Sequence, residues 1–354
     1  MAFWNNLLGK KEKVKTKTYD EIMSEITHGL KGEASSDIPY LRAQMEKYKK
    51  HEMAQEILRA CGRLMYNLIP VEEKEKFERI VGNDSKAIEA TLEEIRFNIC
   101  KNDLATAMKL SEALVEKADR NPMFTNDSVS EYFTFYELFE EILYDIYNKP
   151  EKTLRKAEFP FAAIYFQHGS LLFEQKRYLE ARTALEKARR WNPANAKIAF
   201  EYIETYKQLG EIEKFAELTK ETFKYAFRPD DLARCYRNLG YYFVEKELYE
   251  EAAGCYFLSL QYDSENKMAQ SELYYIQTKA KKEFTPPTID ELNEYGAKYG
   301  FPIGADDDVL GIAVAHGDHF AEKGKNEVAV YFLEIAYALT DDEEIKETIE
   351  QLKQ

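Results

Sequence analysis

Three groups of side chains in this chain of 354 residues have types and spacing that chemistry uses. His316, Asp318 and His319 come first. Two histidines three apart on a helix share a face, and imidazole nitrogens with a carboxylate oxygen suit a divalent transition metal. Asp306, Asp307 and Asp308 form an acidic run, but one without the alternating oxygen ligands and closing glutamate of a calcium loop. Placed just before Val309, the run is better suited to capping a helix. Cys235 and Cys255, with Cys61 and Cys100, are the four cysteines of the chain, and no Cys-x-x-Cys pair or disulfide-dense pattern joins them. There is no glycine-rich phosphate loop, zinc-type Cys/His spacing or nucleophile elbow. Chemistry therefore has one candidate, a metal-dependent centre on His316, Asp318 and His319. Against it stands the preferred reading: no enzyme, no cofactor and no metal.

The elements that would carry any such site are helices. Gly 15 and Pro 10 are scarce, whereas Tyr 25 and Phe 21 give an unusual aromatic load, a composition for a long, mostly helical protein. Lys plus Arg 49 against Asp plus Glu 64 leaves a net charge of −15, which argues against a broad nucleic-acid surface, because phosphate recognition needs clustered cations. No apolar run approaches the roughly 20 residues of a membrane span, and no signal-peptide core is visible. With reduced thiols, a cytoplasmic location fits best. The first residues differ in character: Phe3, Trp4, Leu7 and Leu8 share a helical face and are followed by Lys10, Lys11, Lys13, Lys15 and Lys17. That is a composition for weak peripheral contact with an anionic membrane interface, or for a solubilising tail, since so short a helix is marginal in water.

Self-similarity sets the architecture. Tyr165, Gly169, Leu172, Phe173, Tyr178, Ala181, Leu185, Ala188 and Pro193 recur as Tyr236, Gly240, Phe243, Tyr249, Ala252, Tyr256 and Ser259. The phrase returns as Gly317, Phe320, Ala329, Leu333 and Ala336, each glycine preceding its alanine by twelve residues. A glycine in one helix and an alanine in the next let two antiparallel helices approach closely. A degraded copy carries Ile203 and Phe215 in place of the glycine and alanine, with three extra residues assigned to a loop around Pro229, Asp230 and Asp231. Lys267 to about Lys282 and a helix from Thr288, capped with Glu291, read as a split unit interrupted by Phe284-Thr285-Pro286-Pro287. Thr340 with Glu343 caps a polar final helix. Upstream, Ile95 and Ala107 hold the same twelve-residue spacing, and the apolar stretch from Tyr132 to Tyr147 reads as a buried helix.

These phrases resemble the tetratricopeptide repeat, a helix-turn-helix unit of about 34 residues. The resemblance implies an all-α, right-handed α-solenoid with an N-terminal helical cap, and specifically covers residues 162–266 and 310–341. Its expected organisation is a basic amphipathic tail (1–19), an N-terminal helical cap or bundle (20–82), degenerate hairpins (83–160), three repeats (161–266), a split repeat (267–308), and a last repeat with a capping helix (309–354). On this reading Gly317 is a packing glycine and His316 takes the seam position of His168, which explains the histidine cluster without a metal.

In the resembled arrays, first helices line a concave groove, with ligand-facing residues at offsets −6, −3, +1, +4 and +5 from the packing glycine. Carried over, the offsets give a peptide-binding groove of Phe166, Ser170, Phe173, Lys197, Phe200, Glu204, Lys207, Arg234, Arg237 and Tyr241. Aromatic anchors beside cations suit an apolar side chain and an acidic group of an extended or helical peptide. Phe166 and Ser170 stand where the family's carboxylate clamp has lysine and asparagine, so a chaperone-tail receptor is not implied. The expected function is a non-enzymatic scaffold or adaptor for a partner protein or peptide. The alternatives are a self-associating structural protein, forming a homo-oligomer, and the metal-dependent enzyme. Replacing Phe200 and Arg237 together is expected to abolish partner capture in a pull-down while helicity and melting temperature hold.

Overall fold

Side-chain caps start several of the helices. In the computed structural model, which describes residues 17–68, 85–121 and 124–353, Thr18 and Glu21 form a capping box at α1 (Tyr19–His28). Two further helices, α2 (Ala34–Tyr48) and α3 (Ala54–Leu68), follow it. These three belong to one compact unit, residues 1–84 with 125–131; residues 85–124 with 132–354 form another. The smaller unit has its own core of Ile22, Ile26, Leu41, Ile57 and Cys61. Buried Asp37 accepts the backbone N–H groups of Lys31 and Gly32 at 2.9 and 2.8 Å, closing the α1–α2 turn. Residues 125–131 join it through Arg59 to Asp127 at 3.3 Å and Ser128 to Glu56 at 2.9 Å.

The larger unit begins with α4 (Ser85–Cys100) and α5 (Leu104–Asp119), a hairpin in which Ile95 and Ala107 are both fully buried. After an insertion, the stack continues as α7 (Phe161–Glu174) with α8 (Tyr178–Trp191), α9 (Ala196–Gln208) with α10 (Ile212–Thr222), and α11 (Pro229–Glu245) with α12 (Tyr249–Tyr262). Each hairpin packs on the next, α5 against α7, α8 against α9 and α10 against α11. The seams explain the small residues. A Cβ on Gly169 would lie 2.5 Å from Leu185, one on Gly240 2.8 Å from the Tyr256 ring, and one on Gly317 2.6 Å from Leu333. In the degraded unit Ile203 and Phe215 are both buried and fill the seam instead.

The stack ends at α13 (Lys267–Ala280), which lies on α12. Asn266 caps α13 as Asn195 caps α9, so Tyr274, eight residues after its cap as Ile203 is after its own, occupies the packing position. Tyr274 is 73% exposed. Among the described residues nothing covers its ring, because the expected second helix, α14 (Ile289–Tyr299), does not run along α13. Instead Leu292 and Tyr295 reach Gly254 on α12, 3.5 and 3.4 Å from where its Cβ would stand, and Tyr299 meets Phe243 on α11, ring centroids 4.7 Å apart. The split unit is therefore not a repeat. The Thr288–Glu291 capping box and the left-handed Gly300 stop of α14 are present as read from the sequence.

Three further expectations change. The stretch 120–160 holds no second hairpin: β1 (Ser130–Phe133) and β2 (Thr153–Lys156) form a two-stranded sheet around α6 (Leu138–Asn148). Tyr132 and Phe133 are thus strand residues. The helix that follows is buried on one face only, with Leu138 48% and Ile146 38% exposed. Pro229, Asp230 and Asp231 are not a loop but the first turn of α11, where proline lacks no needed N–H and carboxylates meet the positive helix end. The extra residues form a 3-10 turn, Phe223–Tyr225, and its exit. Asp342, not Thr340, caps α17 (Glu343–Leu352), accepting from Glu344 N at 2.8 Å, because the left-handed Asp341 ends α16 (Asn326–Thr340) one residue later.

The last hairpin, α15 (Asp307–Glu322) with α16, folds against α6 and the 3-10 turn. Phe332 meets Phe139 at 5.9 Å between ring centroids, Tyr147 donates to Asp306 at 3.1 Å, and Asn148 donates to Tyr225 at 3.0 Å. Tyr236 on α11 pins the approach to this hairpin, bonding to Pro302 O and Gly304 N at 3.0 and 2.8 Å.

Gly169→Ala and Gly317→Ala should each lower unfolding free energy by about 1–3 kcal/mol through overpacking. Gly311→Ala, on α15 with open space around its Cβ, should leave stability unchanged or raise it by up to about 1 kcal/mol. Urea unfolding of the three variants measures the difference.

Candidate binding face

The register of the seams fixes which residues of α7, α9 and α11 share the opposite face. On α7, Phe166 and Phe173 are half-buried and Ser170 donates to Phe166 O at 3.0 Å. On α9, Lys197 is exposed, but Phe200 is only 2% exposed, lying beneath the Arg234 guanidinium at 5.3 Å. Phe200 is therefore a packing residue, and its replacement would perturb the fold as well as any surface, which spoils the double change with Arg237 as a clean test. Lys207 pairs with Glu204 at 3.2 Å and sits 4.3 Å from the centre of the Tyr241 ring. Arg234 pairs with Glu201 at 3.3 Å and Arg237 with Asp263 at 3.2 Å. All ten expected residues lie on α7, α9 and α11, but Phe200 is buried beneath their surface rather than part of it. Three of the four cations, Lys207, Arg234 and Arg237, are matched by neighbouring acids, so the surface these helices present is of mixed charge with aromatic rings.

Sequence reasoning missed the continuation of that surface onto α13. With Tyr274 as the packing position, the same offsets select Met268, Ser271, Tyr275, Thr278 and Lys279. Met268 is 67% and Tyr275 44% exposed, with Lys279 above the Tyr275 ring at 5.4 Å. Tyr241 on α11 lies near this helix: burial first, then Glu245, Glu204 and Glu272, push its phenol upward, and Glu272 is itself on α13. The signal was available, because Asn195 and Asn266 are matching caps; reading the split unit as a whole repeat hid it.

At the other end, the face runs into a cleft of about 160 Å³ between the start of α6 and the starts of α9 and α11. Tyr136, Phe166, Lys197, Phe227, Arg228 and Asp231 are among its walls. Glu140, 1% exposed, anchors α6 here by accepting from Tyr136 N at 2.7 Å, Asn192 Nδ2 at 2.8 Å and Asn195 Nδ2 at 2.6 Å. Four such donors, with Glu137 N the fourth at 3.3 Å, stand in for water around a buried carboxylate. Arg228 bonds to Glu137. Asp231 is 5% exposed with Lys197 and Arg228 near it. Burial still dominates, helped by Asp230 and Glu137, and pushes its carboxyl up to about 6.

The remaining candidates do not assemble into a centre. His316 donates through Nδ1 to Ile312 O at 2.9 Å and lies against Phe332, ring centroids 5.2 Å apart, while His319 turns to Phe320 at 5.5 Å. Among the described residues no group of three or more His, Cys, Asp or Glu side chains is placed to hold a metal ion. Asp306 caps α15, accepting from Asp308 N at 3.0 Å. Cys61, Cys235 and Cys255 are buried and Cys100 exposed, all as free thiols. No described helix is long and apolar enough to cross a membrane. Phe3, Trp4, Leu7, Leu8 and the lysines to Lys15 lie outside the described residues.

A family model for the tetratricopeptide repeat matches residues 172–229, from the end of α7 into the start of α11. Among solved structures, a chain of the crystal structure of the APC/C hetero-tetramer Cut9-Hcn1 is similar at 11% identity with a TM-score of 0.39. The similarity covers 95% of this chain and 56% of that one, so this chain spans little more than half its length. No curated protein matches.

The raised Asp231 carboxyl has a definite sign. The folded state holds its proton up to about pH 6 whereas the unfolded chain releases it near pH 4. Its contribution to stability is therefore full below about pH 4 and is lost as pH rises through about 6. Asp231→Asn should remove that slope and be more stable than the parent at pH 7.5 by up to about 3 kcal/mol. Thermal melts of both proteins at pH 5 and 7.5 check it; parallel pH dependences would contradict it.

Proposed function

We propose that this chain, built on tetratricopeptide repeats, is a cytoplasmic, non-enzymatic scaffold that holds a partner's peptide segment on the shared face of α7, α9, α11 and α13. Repeats of this kind serve protein–protein interaction in general; the surface and the ligand chemistry are the proposal's own. The observation that carries it is the exposure of Met268 and Tyr275 at offsets from their packing position that also select Phe166, Phe173 and Tyr241 on the earlier helices. Large apolar side chains left open in one line are costly to solvate and mark an interaction surface.

The ligand follows from the walls. Aromatic rings and a methionine take apolar side chains; methionine, unbranched and polarizable, adapts to several shapes. Exposed Lys197, at the cleft end, takes an acidic group. Arg234, Arg237 and Lys207 are already ion-paired, so a ligand carboxylate there must displace Glu201, Asp263 or Glu204 and gains little. The best-fitting segment therefore has apolar residues towards α13 and an acidic residue towards α9.

Peptides selected against the full chain from a random display library test this. They should share apolar positions and an acidic residue. Met268→Glu with Tyr275→Glu should weaken the selected peptide at least tenfold, about 1.4 kcal/mol, and Lys197→Glu should weaken acidic peptides selectively, all with helicity unchanged because these side chains are exposed. Unaltered affinity in both variants would place the binding elsewhere.

A further inference from the structure

We infer that the outer face of α6 is a second docking site, independent of the repeat face, for an amphipathic helix that carries cations beside an apolar stripe. The inserted helix buries Phe139 and Leu143 in the core and leaves Leu138, Ile142 and Ile146 along the flank beside them, with Ile142 also touching that core. Leu138 is 48% and Ile146 38% exposed, and Ile142 is half-buried. Spaced four apart, they make a straight apolar ridge about 12 Å long. The ridge borders a groove of about 480 Å³ whose far walls are Lys152, Thr153 and Leu154 of the β2 segment and His316 of α15. A ridge of this period beside a groove is the geometry that receives another helix.

Charge decides the partner. Glu141 and Asp145 line the same groove and stand four residues apart on an exposed helix side, where like charges destabilise a helix. Among the described residues neither carboxylate is committed to an ion pair, unlike surface acids elsewhere on the chain such as Asp119, Glu217, Glu250 and Glu343. Cations flanking the partner's stripe would relieve that repulsion, and Lys152 and His316 on the opposite wall leave the acids the nearer targets on the α6 side. A second copy of this chain is disfavoured, because two molecules of net charge −15 repel.

The test uses the full chain and three labelled peptides read by fluorescence anisotropy: a designed helix with leucines at i, i+4 and i+8 flanked by lysines, the same helix with glutamates for the lysines, and the lysine version interrupted by two prolines. The lysine helix should bind at least tenfold tighter than either of the others. Glu141→Lys with Asp145→Lys should reverse the preference between lysine and glutamate helices, Ile142→Asp should abolish binding of both, and Lys197→Glu on the repeat face should change neither. Several results would overturn the proposal: equal binding of lysine and glutamate helices, retained binding of the proline-broken peptide, or loss on Lys197→Glu with no effect of Ile142→Asp. So would a concentration-dependent dimer in light scattering that Ile142→Asp dissolves, since the occupant would then be a second copy.

Discussion

The structure of the larger unit depends on how closely two helices can approach at one residue position. Where that residue is Gly169, Gly240 or Gly317, the partner side chain presses into space that a methyl group would fill, and a tight hairpin forms. That contact also fixes the rotation of each first helix, and so decides which residues face away from the seam. Packing and surface are two consequences of one register: Tyr241 and Lys197 stand away from the seam because Gly240 and Ile203 stand in it. Where the position holds Tyr274, the hairpin fails and the stack ends at α13. The polar Gln270 and Gln277 on the same side as Tyr274 let that helix face water, as a terminal unit must.

The end of the stack frees the rest of the chain for another task. Residues after α13 run back over α12 and α11, held by Tyr299 against Phe243 and by Tyr236 on the 302–304 segment. The last hairpin then packs on α6, with Phe139, Phe227 and Phe332 in one aromatic contact. An insertion between two repeats and a hairpin displaced from the array thereby complete each other's core. One face of α6 does this, so its other face is left to solvent, and the buried Glu140 fixes its start against the α8–α9 turn.

The repeated part was legible because its constraint is local and periodic. A glycine twelve residues ahead of an alanine, with aromatic residues at helical spacing, reports close packing whatever surrounds it. The Thr288–Glu291 cap was legible for the same reason. What was hidden depends on contacts distant in sequence. Tyr132 and Phe133 read as helix because apolar period alone does not separate a short strand from a buried helix. Phe200 read as a groove residue because its offset gives direction but not depth, and Arg234 from the next unit covers it. Lys207, Arg234 and Arg237 read as open cations because their acidic partners come largely from other helices or loops. Met268 and Tyr275 were passed over because the helix expected to pair with α13 folds elsewhere.

The central claim is that the seam register places the ligand on one face of the first helices. A photo-crosslinking amino acid placed singly at Tyr275, Lys207, Thr183 on α8 and Glu250 on α12, followed by mass mapping of a bound, selected peptide, tests it most directly. The account predicts peptide adducts at positions 275 and 207 and none at 183 or 250. Adducts on α8 or α12 with none at 275 and 207 would contradict it.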